Sequence, residues 1–137
     1  MKKLSFSIFI ISAFILVSSF VLFSYFSRPI DSWSVYTSFE STDDTGGFDL
    51  NKTALTFGKI PRGSSSTRAI YFDNNYNFST RVSVNVNGSI SPYISYPKET
   101  IVEPHERSKI YFIVDVPFDF ENGSYDGFAR VYVYRIR

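Results

Sequence analysis

The sequence contains no cysteine. That one absence excludes disulfides, thiol nucleophiles, thiolate metal sites and lipid attachment at a lipobox cysteine. Histidine occurs once, at position 105, and a lone histidine without cysteine partners cannot assemble a usual zinc site. It sits in Pro104-His105-Glu106-Arg107, a turn sequence, and reads as a solvated loop residue. No G-x-S-x-G elbow and no glycine-rich phosphate loop occurs, so neither serine hydrolysis nor nucleotide binding has a motif to rest on. No cofactor, metal or small-molecule substrate is implied, and catalysis is not expected. The net charge is only +1. A nucleic-acid binder would carry a basic face, and none is evident.

What the chain does have is an apolar start. Met1-Lys2-Lys3 precedes 23 residues, Leu4 to Phe26, without a charge, a proline or a glycine. At the helical rise these cover about 34 Å, slightly more than a hydrocarbon core of about 30 Å. The pattern fits a cleaved signal peptide or an uncleaved signal-anchor. Cutting near Val17-Ser18-Ser19 would leave the apolar Phe20 to Phe26 at a mature N-terminus in water, so the anchor is expected. Lys2, Lys3 and the terminal amine lie on one side, Arg28 and Asp31 on the other. The positive-inside rule then puts the N-terminus in the cytoplasm and the rest of the chain outside the cell membrane. Tyr25 and Trp33 fall where an interfacial aromatic belt is expected. Ser5, Ser12 and Ser19 would align along one helix stripe, a spacing that permits close helix pairing but also arises readily by chance among six serines.

Two of the 14 Lys and Arg residues precede the apolar run and all 13 Asp and Glu follow it, which leaves the outer part slightly acidic. An extracytoplasmic domain without disulfides fits a prokaryotic envelope better than an animal secretory pathway. The predicted organisation is a cytoplasmic n-region (1–3), a transmembrane signal-anchor helix (4–26), a short tether (27–32) and one outer domain (33–137).

In that domain the pattern changes to period-two alternation, the mark of half-buried strands. Trp33, Val35, Thr37 and Phe39 share one face of a first strand. Further strands are predicted over Thr53–Ile60, Thr67–Asp73, Arg81–Asn87, Thr100–Val102, Lys109–Val116 and Tyr125–Ile136. Val82, Val84 and Val86 point one way in the clearest alternation of the chain. Ile110, Phe112, Val114 and Val116 do the same, as do Ala129, Val131 and Val133. Between Glu40 and Asn51 four carboxylates surround Gly46-Gly47 in a spacing that matches no EF-hand, so an acidic surface loop is expected there. About seven short strands punctuated by turn signals, with no helical periodicity after the apolar run, predict an antiparallel Ig-like β-sandwich lacking the cysteine pair of true immunoglobulin domains.

The run Leu55-Thr56-Phe57-Gly58-Lys59-Ile60-Pro61-Arg62-Gly63-Ser64, then Arg68-x-Ile70 and an Asn-rich turn, resembles the opening of Ig-like domains of the ASH/major-sperm-protein type. The ending, Val116-Pro117, Asn122-Gly123-Ser124-Tyr125-x-Gly127 and Val131-x-Val133, is similar to closing hairpins of prokaryotic, archaeal-type surface Ig-like domains. These motifs are structural and carry no functional residues. The resemblance implies a scaffold, adhesion or assembly module.

Four N-x-Ser/Thr sequons, at Asn51, Asn77, Asn87 and Asn122, are candidate N-glycosylation sites on the predicted outer side, although Asn-Gly is also good turn chemistry at 87 and 122. Arg130, Tyr132, Tyr134 and Arg135 form a candidate interaction face, tyrosine being favoured at interfaces. The same arginines also read as charged protection of an edge strand. The expected function is a non-catalytic, single-pass membrane protein that uses a membrane-proximal Ig-like domain for protein–protein interaction, adhesion or envelope assembly. Its expected partners are lipid, through residues 4–26, and another envelope protein. The alternative is a secreted or pilin-like structural subunit of a surface filament or coat.

Overall fold

A computed structural model describes residues 2–43 and 54–136, without the side chains of 2–8 and 26. Helix α1 spans Lys2–Phe26. No glycine or proline interrupts it, and its last i→i−4 bond runs from the Ser27 N–H to the Phe23 carbonyl, 3.0 Å. Pro29 then forbids helix at Arg28 and cannot donate itself. The described side chains of α1 are nearly all exposed, and the helix is not packed on either sheet. Among the described residues no helix is long and apolar enough to cross a membrane. The helical backbone extends over Lys2–Phe26.

Eight strands follow: β1 (Asp31–Thr42), β2 (Leu55–Pro61), β3 (Ser64–Asp73), β4 (Thr80–Gly88), β5 (Ile94–Ser95), β6 (Glu99–Val102), β7 (Arg107–Val116) and β8 (Gly123–Arg135). They form a five-stranded sheet in the order β2-β1-β8-β4-β6 and a three-stranded sheet in the order β3-β7-β5. The all-β, two-sheet architecture agrees with the sequence. Three details differ. The first strand begins at Asp31, inside the predicted tether. A two-residue strand, β5, follows a single 3₁₀ turn over Ser91–Tyr93, where Pro92 and Pro97 mask any alternation. The β1–β2 pair is parallel, so the sandwich is not wholly antiparallel.

The parallel pair contains a bulge, because Ser38 and Glu40 oppose Thr56 and Lys59. The extra residue of β2 falls at Phe57-Gly58, and Gly58 takes φ of 73°, which glycine adopts without steric cost. The bulge switches the strand's parity. Leu55 and Phe57 face inward, and so does Ile60, while Lys59 is turned out.

The core lies between the sheets. Val82, Val84 and Val86 of β4 and Ala129, Val131 and Val133 of β8 meet Ile110, Phe112, Val114 and Val116 of β7. All the inward residues expected on these three strands are buried. Gly127 lies where β8 crosses closest to β4: a Cβ there would sit 1.9 Å from the Asn87 carbonyl oxygen. One end of the sandwich is plugged by Phe39, Tyr93, Phe120 and Tyr125, with Phe39 and Tyr125 stacked at 4.9 Å between centroids. At the other end Trp33 stacks on Phe72, 6.1 Å apart.

Candidate functional site

Register defines two ends. The start of β1 pairs with the finish of β8, Asp31 opposite Val133, and the start of β4 pairs there too, Thr80 opposite Arg135. The end of β6 meets the start of β4, Val102 opposite Thr80. This helix-proximal end therefore carries the β3–β4 loop (74–79), the β6–β7 turn (103–106) and the C-terminal end of β8. The opposite, distal end carries the loops 89–93 and 117–122.

Asn74 knits the proximal end together. It is 1% exposed. Its side-chain amide lies within donor reach of the carbonyls of Phe78, Val102 and Glu103, at 2.9, 3.0 and 3.0 Å, while its Oδ1 accepts from the Tyr76 N–H at 3.1 Å. Its backbone carbonyl accepts the His105 N–H at 2.9 Å, where His105 turns the chain at φ 62°. His105 is exposed, as expected, and its backbone rather than its imidazole has a structural task.

Rings and cations gather around the loops that Asn74 fixes. Tyr76 and Phe78 stack at 5.0 Å, and the Arg135 guanidinium lies 4.4 Å above Phe78. Arg81 lies 5.2 Å above Tyr134. Arg107 and Lys109 approach Tyr71 at 5.8 and 5.6 Å, and Lys109 also faces Tyr111 at 4.9 Å. Arg107 donates to both oxygens of Asp73, with Nη2–Oδ2 at 3.0 Å. This bond and the adjacent positive charge hold the Asp73 carboxyl below its ordinary value and raise Arg107 in turn. Hydrogen bonding with Tyr111 and then Tyr71 raises Lys109. The cluster draws on β3, β4, β7, β8 and a loop, so it is scattered through the sequence; the local hints are the neighbouring pairs Tyr76-x-Phe78, Lys109-x-Tyr111 and Tyr134-Arg135.

The predicted face on β8 is divided. Arg130, Tyr132 and Tyr134 share the outward parity, whereas Arg135 is of opposite parity and has left the core to cover Phe78. The edge-strand reading of these arginines is corrected, because β8 is the middle strand of its sheet, with β1 and β4 on either side. Arg130 has Ser34 and Asn85 as its cross-strand neighbours, and Tyr132 has Ser32 and Ser83. Small residues beside large ones leave a shallow groove lined by Ser32, Trp33, Ser34, Arg130 and Tyr132.

The sequons separate by end. Asn77 lies in the proximal loop between Tyr76 and Phe78, exposed. Asn87, at the end of β4, and Asn122, just before β8, are exposed toward the distal end. The Asn122 amide donates to Asp43 Oδ2 at 2.7 Å. This bond, together with the paired Arg62, lowers the Asp43 carboxyl's pKa. Asn51 and most of the acidic loop lie outside the described residues. Among the described residues no group of three His, Cys, Asp or Glu side chains could hold a metal ion.

No protein-family model matches the chain, and no curated protein or solved structure is detectably similar to it.

Proposed function

We propose that the chain is a non-catalytic, single-pass membrane protein, N-terminus inside. It presents an Ig-like β-sandwich close to the bilayer for contact with another envelope protein. The observation that carries this reading is α1 itself. Its exposed apolar side chains include Phe9, Ile10, Ile11, Ile15 and Leu16, which lie all around the helix and not along one stripe. A helix apolar on every side is stable only inside a large core or in lipid. The sandwich offers it no core, since among the described residues α1 has no substantial packing on either sheet. The Ig-like assignment is supported by the two facing sheets and by the strand-to-strand crossovers between them, and the outward groove on β8 offers a surface for a protein partner. The test is protease added to intact cells carrying a C-terminal epitope tag. Digestion of the tag before the cells are broken is the expected result. Digestion only after lysis overturns the reading.

A further inference from the structure

The connection between helix and sandwich is shorter than the sequence implied. Ser27 still donates to the helix, at Phe23, and Ile30 already donates to the sheet, at the Val133 carbonyl, 2.7 Å. Only Arg28 and Pro29 lie between, and the proline's φ is locked. Three residue steps reach about 10 Å at most, while the headgroup layer on each side of a bilayer is about 6 Å thick. The proximal end of the sandwich cannot leave the membrane surface by more than a few ångströms. That end is where the exposed ring of Tyr71, the stacked pair Tyr76–Phe78 and the ring-bound cations Arg107, Lys109 and Arg135 are found.

We propose that this end of the sandwich is a lipid-contact surface whose Tyr76–Phe78 loop sits in the headgroup layer of the protein's own membrane. The inference rests on the membrane-anchor reading. Aromatic rings with a polar or cationic rim partition to the interface, where one side is apolar and the other wet. Charge is not the driving force, because Asp31, Asp73, Glu103 and Glu106 offset the arginines and lysine at the same end. Zwitterionic lipid therefore suffices, and high salt does not release the contact. Asn74, by tying loop 74–79 to the 103–106 turn, holds the rings in place without an ordering cost on contact.

The absence of cysteine makes the test clean. Single variants Asn77→Cys, in the loop, and Asp119→Cys, at the distal end, are labelled with an environment-sensitive fluorophore. The full-length chain is reconstituted in phosphatidylcholine vesicles containing headgroup-nitroxide lipid. Quenching at 77 several-fold stronger than at 119 is the expected result, and Tyr76→Ser with Phe78→Ser should bring it down toward the level at 119. The labelled positions Asn77 and Asp119 and the ring of Tyr76 are exposed and Phe78 is half-buried, and Trp33, the sole tryptophan, reports that the fold is kept. Weak quenching at both positions in protein that floats with the vesicles overturns the contact and leaves the anchor standing. Strong quenching at both overturns the end-on geometry and with it the proposal. Protein that does not float with vesicles overturns the anchor and the contact together.

Discussion

Asn74 carries no chemistry that would draw attention to it, yet at 1% exposure its side chain serves three carbonyls and one N–H. Buried acceptors left without a donor each cost about 1–3 kcal/mol, some of it recovered by relaxation or an entering water. Asn74→Ala should therefore destabilise the domain by about 2–4 kcal/mol, read from urea unfolding followed by Trp33 emission. Asn75→Ala, exposed next door, should change stability by less than about 0.5 kcal/mol. The run Asp73 to Asn77 announces a polar turn, but nothing in it marks which asparagine turns inward, because that depends on the carbonyls of Val102 and Glu103 far along the chain. Asp73 invites a second measurement. Its carboxyl titrates below the ordinary 3.8 because Arg107 holds it charged. A lowered folded pKa contributes stability that is complete above the unfolded value and lost as pH falls through the folded one. The stability difference between wild type and Asp73→Asn should be constant above about pH 5 and close as pH falls below 3.8. It should also be small, since both side chains are largely exposed.

Among the elements, the alternating strands were the most legible because one face of each is buried against the opposite sheet and the other is wet. β4, β7 and β8 each bury the residues their period-two pattern selects. Pairing partners were not legible. Alternation says which face is apolar but not which neighbour lies alongside, so the parallel β1–β2 pair, the central place of β8 and the parity switch at Gly58 emerged only from the fold. The most consequential of these is β1. The strand that leaves the helix lies between β2 and β8 and brings Phe39 into the distal aromatic plug. Without it, β2 and β8 would each lose a partner and Tyr93, Phe120 and Tyr125 would lose the ring they surround. A fragment starting at Arg28 should give a dispersed amide spectrum by NMR, and one starting at Asp43 should collapse to the narrow dispersion of an unfolded chain. A folded spectrum from the shorter fragment would show that β1 is an accessory and not part of the core.

The molecule as a whole is polar from end to end. Rings with cations crowd the helix-proximal end, while Glu40, Asp43, Asp119, Glu121 and Asp126 lie toward the distal one, where Glu40 pairs with Lys59 and Asp43 with Arg62. This polarity was invisible in the sequence, because the rings and cations of the proximal end come from strands and a loop far apart in the chain. It also divides the sequons, which the sequence treats as equivalent. On the proposed lipid contact, a glycan at Asn77 would stand between Tyr76 and Phe78 and keep the loop out of the headgroup layer, whereas Asn87 and Asn122 are exposed toward the opposite, distal end. The Asn122 amide has two hydrogens, so a glycan on its nitrogen still leaves one for Asp43. Expressed in a host with N-glycosylation machinery, the protein should yield occupied glycopeptides at Asn87 and Asn122 and a bare one at Asn77. Freeing the sandwich with a ten-residue Gly-Ser insertion after Arg28 removes the constraint of the short connection, and Asn77 should then become partly occupied. Full occupancy of Asn77 in the unmodified chain would mean that the proximal end faces water, and that the two-residue connection holds the sandwich near the bilayer without seating it there.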